Sequence, residues 1–557
     1  MHFDEILEKI GEFGLYQKFL YTLLCIPGIS AGVFMVISVF LLGIPDHRCV
    51  IPGYENDTYA IQNDFHQVLV NHYIPKPTEE KKKYDECSYL AFDSKTVLFD
   101  NESRPLNFTK VKCNKWVYDD AIFASTFSSE MNLVCDDFPK TTQAKTLFFG
   151  GVLVGAFITG MLSDKIGRKK TLFLSFFLAL AATVGLAFSP SYPVFVTLRF
   201  FVGFSMAGIF MTAFVIGLEL VGPTKRNLAG IVIEYFFALG LVLLAGVAYL
   251  LRDWFYIELA FGAPMVLFLL MWWVIPESPR WLINQGRKEE AEVILRKAAK
   301  VNKVTLPDKL FMEEDEEEPP TGHLLHLFTS RVLLVRTLVI FFNWMVVSMT
   351  YYGLSLNTGN LGGDFYMNFF ISGLVEFPAY TLSILFLDRI GRKICHLLAM
   401  VIGGGCCLAT IFTIVYGGEE LQWLTTTLAM IGKLGSAAAF AIIYVFSAEL
   451  YPTVVRNTGM GASSCCARVG GMIAPYVADS AKIIGGDFGH AVPLAVFGAA
   501  SVLAGLLSLL LPETLGEHLP ESIEDGVIFG TDQYREKKAR KYKPSSNDLL
   551  KIEMTKF

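Results

Sequence analysis

The sequence predicts an all-α membrane protein of about twelve spanning helices, arranged as two related six-helix halves. Three observations predict it. Of 557 residues, 53% are hydrophobic and only 18% charged, against roughly 25% charge in soluble globular chains, and mean hydropathy is +0.45. Twelve apolar runs approach the ~20 residues that a bilayer span requires. Charged motifs that follow these runs occur twice, in the same order. Net charge is −6, which offers no electrostatic footprint for nucleic acid.

Residues 1–18 form a charged, amphipathic N-terminal stretch, and no cleavable signal peptide is evident, because the apolar run after it is too long for a signal core. The first span covers 19–43. Residues 44–145 form a long loop. The rest of the first half, 146–283, holds spans at 146–162, 171–189, 193–217, 229–250 and 255–275. Residues 284–334 separate the halves, with a charged helical segment and the acidic run Glu313 to Glu318, which reads as a solvated linker. The second half, 335–514, holds spans at 335–357, 366–387, 394–416, 421–447, 458–480 and 490–511, and 515–557 is a tail.

Lys and Arg crowd alternate short loops: Lys165 to Lys170, Lys225-Arg226, Arg389 to Lys393, Arg456 and the tail. By the positive-inside rule these loops and both termini are cytoplasmic. That places 44–145 outside, where its sequons at Asn56, Asn101 and Asn107 read as glycosylation sites. Its four cysteines, Cys49, Cys87, Cys113 and Cys135, read as two disulfides in an oxidising compartment. Three pairings are possible. The other cysteines lie in or beside spans, and no Cys/His spacing suggests a metal site.

The repeats carry the architecture. Gly160-x-x-x-Asp164-Lys165-x-Gly167-Arg168 follows the second span, and Asp388-Arg389-x-Gly391-Arg392 follows the eighth, with Ile384 in place of the leading Gly. Glu219, Pro223 and Arg226 follow the fourth span; Glu449, Pro452 and Arg456 follow the tenth. Pro276-Glu277-Ser278 and Pro512-Glu513-Thr514 follow the sixth and twelfth. The offsets are 224, 230 and 236. Six helices followed by six is the parallel repeat of secondary transporters. Carboxylates and guanidinium groups at these helix ends can latch the two halves when the cytoplasmic side is closed, and release them as the halves rock; anchoring of topology is the plainer role.

These motifs resemble the major facilitator superfamily and, more narrowly, solute carrier family 22. The resemblance rests on Gly11-Glu12-Phe13-Gly14-x-Tyr16-Gln17, Pro45-Asp46-His47-Arg48-Cys49 and Pro276 to Leu282. It rests further on Val375-Glu376-x-Pro378-Ala379 and Ala448 to Asn457. It runs to about residue 515 and is nearest to animal organic-cation-transporter-like and carnitine-transporter-like members. It implies alternating-access movement of small organic ions with no cofactor and no enzymatic activity. No Walker A or Gly-x-Ser-x-Gly motif argues otherwise.

Ionisable residues within a span cost about 2.5–3.5 kcal/mol on insertion scales, so Glu234, Glu376, Lys433, Arg468 and Asp479 need reasons. The resemblance implies a cation- or proton-handling role for Glu376; the plainer reading is a structural ion pair. Cation-specific relatives carry aspartate where Arg468 stands, whereas anion and carnitine-type relatives carry Arg. The guanidinium fork suits a carboxylate; alternatively Arg468 pairs with Glu376 or Asp479. Together Glu376 and Arg468 suit the two ends of a zwitterion. Tyr380 stands where anion-transporting relatives tend to carry Lys, which weakens a pure-anion reading, while Lys433 sustains it. Tyr351, a cavity tyrosine by resemblance, leads the aromatic candidates, with Tyr352, Tyr235, Phe236, Phe237, Phe341 and Trp344; core packing is the alternative. The expected function is transport of organic cations or zwitterions across the plasma membrane, with organic-anion exchange the alternative and a non-transporting receptor less favoured. Partners are the lipid bilayer and a small organic ion; the coupling ion is open.

Overall fold

The computed structural model describes residues 3–77, 82–92, 108–307, 310–311, 323–418 and 420–541. The sequons at Asn101 and Asn107 and the acidic run 313–318 lie outside the described residues.

Among the described residues, twelve helical segments fall on the twelve apolar runs. In the first half they are α1 (Leu15–Leu41), α2 (Pro139–Ile166), α3 (Arg168–Ala187), α4 (Tyr192–Leu220), α5 (Arg226–Leu251) and α6 (Trp254–Trp273). In the second half they are α7 (Arg331–Leu356), α8 (Phe365–Ile390), α9 (Arg392–Tyr416), α10 (Gln422–Leu450), α11 (Arg456–Ile484) and α12 (Gly486–Leu507). Eleven are both long and apolar enough to cross a membrane. The exception is α11, whose apolar character is diluted by Arg468, Asp479, Lys482 and a run of Gly and Ser. It packs between α7, α12 and α2, so its polar positions meet protein.

Small residues set the helix spacing. A side chain at Gly151 or Gly155 of α2 would strike the backbone of α4 at Phe200 or Phe204, and one at Gly203 would strike α2 at Phe148. Gly470 of α11 lies against the Met345 carbonyl of α7 in the same way. Without a hydrophobic drive between helices in lipid, such close approach supplies the packing.

Two helix boundaries differ from the sequence expectation. Helix α2 begins at Pro139, not near 146, because Pro at the first position starts a helix without losing a bond. That brings Lys145 inside the helix. Helix α8 is interrupted at Val375, between Phe365–Leu374 and Glu376–Ile390. Pro378 has no amide hydrogen and its ring crowds the preceding turn, so the ladder breaks just where Glu376 stands.

Between α1 and α2 lies a small domain. Strand β1 (His47–Cys49) pairs antiparallel with β4 (Trp116–Tyr118), and β2 (Ser88–Phe92) with β3 (Phe108–Lys112). Of the three possible cysteine pairings the fold selects Cys49–Cys113 and Cys87–Cys135. At its centre Asp57 takes a two-pronged contact from Arg48 (2.9 and 2.7 Å) and lies 2.9 Å from His66 Nε2. Burial pushes the Asp57 carboxyl up, but hydrogen bonds from Arg48 and the Ile51 amide, with the Arg48 charge and His66, more than offset it and leave it below its ordinary value. Asn56 is exposed.

The helix Lys288–Asn302 between the halves docks on α1. Asn302 there donates to Gln17 Oε1 (2.8 Å) and the Ile10 carbonyl (3.1 Å) and accepts from the Tyr16 amide (3.0 Å).

Candidate functional site

The repeated motifs build one cluster at the base of each half. The chain turns from α2 to α3 at Gly167 (φ 111°) and from α8 to α9 at Gly391 (φ 108°), conformations that glycine tolerates and side chains do not. Arg168 then reaches Asp164 (2.6 Å) and Glu219 (3.6 Å). Arg392 reaches Asp388 and Glu449, each at 3.0 Å. Glu277 accepts the Lys169 amide at 3.0 Å, and Glu513 accepts the amides of Arg392 (2.8 Å) and Lys393 (3.2 Å). Glu277 and Glu513 thus satisfy free amides at the starts of α3 and α9. The duplication of Pro-Glu-Ser/Thr was the sequence signal for them, without their role.

The latch between halves, expected for a closed cytoplasmic side, is not formed among the described residues of this conformation. Among the described residues, every ion pair of the repeated loops stays within one half. Arg226 pairs with Asp4 (2.6 Å) of the N-terminal stretch. Arg456 donates to the Tyr451 carbonyl and Thr453 hydroxyl rather than to Glu449. Gly160 has open space around it and permits no close helix approach. The halves meet instead at the opposite end, beside the small domain. Lys145 of α2 pairs with Asp479 of α11 at 2.8 Å, and Thr142 donates to Asp479 at 2.7 Å. Phe40 of α1 stacks edge-on with Phe365 and Phe369 of α8, and the Tyr366 hydroxyl donates to the Ile122 carbonyl. Carboxylates at the base bind their own half because the contact surface lies at the other end.

Three sequence candidates converge in the second half. Glu376 and Lys433 form an ion pair of 2.9 Å, at 0% and 1% side-chain exposure. The Tyr351 hydroxyl donates to one Glu376 oxygen (2.7 Å) and Tyr380 to the other (3.0 Å). Lys433 Nζ donates to Ser355 Oγ at 2.6 Å and sits 3.3 Å from the Tyr351 ring centre. Glu376 therefore has an internal counter-charge in Lys433, and among the described residues Arg468 pairs with neither Glu376 nor Asp479. Trp344 lies in the packed core of the second half, with its indole N–H on Ser447 (3.0 Å) and its ring T-shaped to that of Tyr444.

Arg468 stands apart from these pairs. Among the described residues it donates only to Ser464 of its own helix, to the carbonyl at 2.7 Å and to the hydroxyl, and its Nε has no partner. Tyr352 and Tyr444 lie within electrostatic reach of Arg468, and they belong to a run of ring contacts: Tyr352 with Phe149 (4.9 Å) across the halves, and Phe440 with Tyr351 and Tyr444. Tyr235 of α5 also crosses, donating to or accepting from Thr381 at 2.8 Å and packing on Tyr380. Sequence reading missed Lys145 through a helix start placed too late. It also missed the buried Arg199 and Glu258 at 0% exposure, whose apolar flanks hid them.

Residues 123–525 match the family model described as "Sugar (and other) transporter". An organic cation transporter protein of Drosophila melanogaster is 42% identical over 543 residues, 95% of each chain. The organic cation/carnitine transporter 2 of Homo sapiens is 36% identical, over 94% of this chain and 93% of its own. In fold, the structure of the major facilitator superfamily proton:xylose symporter XylE superposes with a TM-score of 0.59 at 16% identity, covering 91% of this chain and 98% of XylE. The chain therefore belongs to the major facilitator superfamily and, within it, to solute carrier family 22: it is a multi-pass membrane transporter and not an enzyme.

Proposed function

We propose that this transporter carries small organic cations or zwitterions across the plasma membrane by rocking of its two halves. Both termini and the repeated basic loops face the cytoplasm, and the disulfide-bonded domain, with Asn56 glycosylated, faces outside. The conformation is then the one closed to the exterior, held by Lys145–Asp479 and the Phe40 cluster.

The observation that carries the substrate reading is Arg468: a guanidinium within a span, without a carboxylate partner among the described residues and within electrostatic reach of Tyr352 and Tyr444. Arg binds a carboxylate through two parallel bonds, and aromatic faces attract organic cations. Relatives named for organic cations and carnitine support this chemistry. The Glu376–Lys433 pair, with Tyr351, shapes the wall of the site beside Tyr235, and Trp344 stiffens α7 behind it.

Replacing Arg468 with Asp tests the reading. Uptake of carnitine-like zwitterions and of anions is expected to fall at least tenfold, the cost of a lost charge-assisted pair of about 1.5–3 kcal/mol, while simple cations are still carried. Unchanged zwitterion and anion uptake would falsify the role of Arg468. The same assay at varied sodium, pH and membrane potential identifies the coupling ion.

A further inference from the structure

We propose that Glu234 of α5 is the carboxylate that binds the cationic end of the substrate, opposite Arg468, so that a zwitterion bridges the two halves. This inference rests on the cation-or-zwitterion reading above. The acid expected from sequence, Glu376, is already neutralised by Lys433 and takes two tyrosine hydroxyls. Among the described residues, Glu234 makes no hydrogen bond and no ion pair, and it is half-buried rather than sealed in a core. An unpaired carboxylate inside a span is costly and is retained where a ligand or water-filled gap meets it.

The repeat fixes its depth. Helices α5 and α11 begin at the matched residues Arg226 and Arg456, an offset of 230. Glu234 is thus the counterpart of Ser464, and both lie about 12 Å along their helices at 1.5 Å per residue. Ser464 is the residue to which Arg468 bends its guanidinium back. The carboxylate and the guanidinium therefore lie at one depth on opposing halves, and they are not an ion pair with each other. Among the described residues, the groups within electrostatic reach of Glu234 include Tyr21 of α1, Tyr380 and Glu376 of α8, Tyr352 of α7 and Tyr444 of α10. Tyr352 and Tyr444 are also within reach of Arg468. An amine or quaternary ammonium seated among these rings meets Glu234, and a carboxylate on the same molecule meets Arg468. Because the two charges belong to different halves, such a ligand draws the halves together at the base.

The test is uptake of tetraethylammonium, glycine betaine and benzoate by cells, normalised to surface protein, for wild type, Glu234→Gln, Glu234→Asp and Glu376→Gln. Glu234→Gln is expected to raise KM for tetraethylammonium and betaine about tenfold or more, the loss of one charge-assisted contact, with no rise for benzoate. Glu234→Asp is expected to recover most of the affinity. The proposal is overturned if the cation KM stays within about twofold of wild type. It is also overturned if benzoate suffers equally, or if Asp restores nothing. Should Glu234→Gln fail to reach the surface, purified protein in detergent decides. Loss of the rise in Tm given by tetraethylammonium, with the rise given by benzoate kept, supports the proposal, and retention of both overturns it. A wild type that carries only benzoate refutes the parent reading and this one together. A wild type that carries tetraethylammonium alongside an unaltered Glu234→Gln refutes Glu234 alone.

Discussion

Breaking the Glu376–Lys433 pair measures what a buried ion pair does inside this transporter. Glu376→Gln leaves Lys433 with its charge, 1% exposed, against a neutral amide. Removing one partner of a buried pair costs about 3–5 kcal/mol, because the remaining charge stays desolvated. Ser355 and the Tyr351 carbonyl, at 2.6 and 3.3 Å, soften this without supplying a counter-charge. Glu376→Gln is therefore expected to lower Tm in detergent strongly, and Lys433→Met alone likewise, since Glu376 is then left charged with two hydroxyls. The double variant removes both charges and is expected to recover most of the loss, because replacing a whole buried pair with uncharged residues is often neutral or stabilising. The assay is a double-mutant cycle read by thermal unfolding of the purified protein. Additive losses, with the double variant the least stable of the set, would refute the pairing. Single variants as stable as wild type, with lost cation uptake, would return Glu376 to direct substrate binding.

Three further outcomes follow from the geometry. Asp479→Asn removes the charge that Lys145 meets at 2.8 Å and is expected to loosen the closed end; a cysteine placed at Phe365 should then react faster with a membrane-impermeant thiol reagent, and an unchanged rate refutes the latch. Gly391→Ala forces a side chain to φ 108° and into Glu513, so a loss of about 1–3 kcal/mol is expected from the backbone alone, read as lower Tm, with Gly167→Ala behaving alike at the other copy. Asp57 titrates below its ordinary value in the folded small domain, so its contribution to stability is present above the unfolded pKa of about 3.9 and is lost as pH falls through the lower folded value. Proteolysis of the domain should therefore accelerate below about pH 4 in wild type; Asp57→Asn should be cleaved faster at neutral pH and show a flatter acid dependence, and identical profiles would refute the role of the triad.

What the sequence determined by itself is the membrane architecture. Twelve apolar runs and three doubled motifs define two six-helix halves because hydrophobic length and charge at helix ends are local properties. They need no knowledge of which helix neighbours which. Even the counterparts Gly167 and Gly391 are legible, since a matched turn keeps its glycine in both copies. Only the tertiary structure decided who pairs with whom. Glu376 and Lys433 lie 57 residues apart and both looked available to substrate; packing of α8 on α10 joins them. Lys145 and Asp479 lie 334 residues apart, and their bond closes the end away from the basic loops. The loop carboxylates looked able to bind across the halves, yet each binds within its own. In a transporter the partner of a charge depends on how the two halves sit, and that arrangement is a property of the whole packing. Arg468 and Glu234 stand out for the converse reason: once every other intramembrane charge singled out in the sequence has found its partner, these two have no opposite charge paired with them among the described residues.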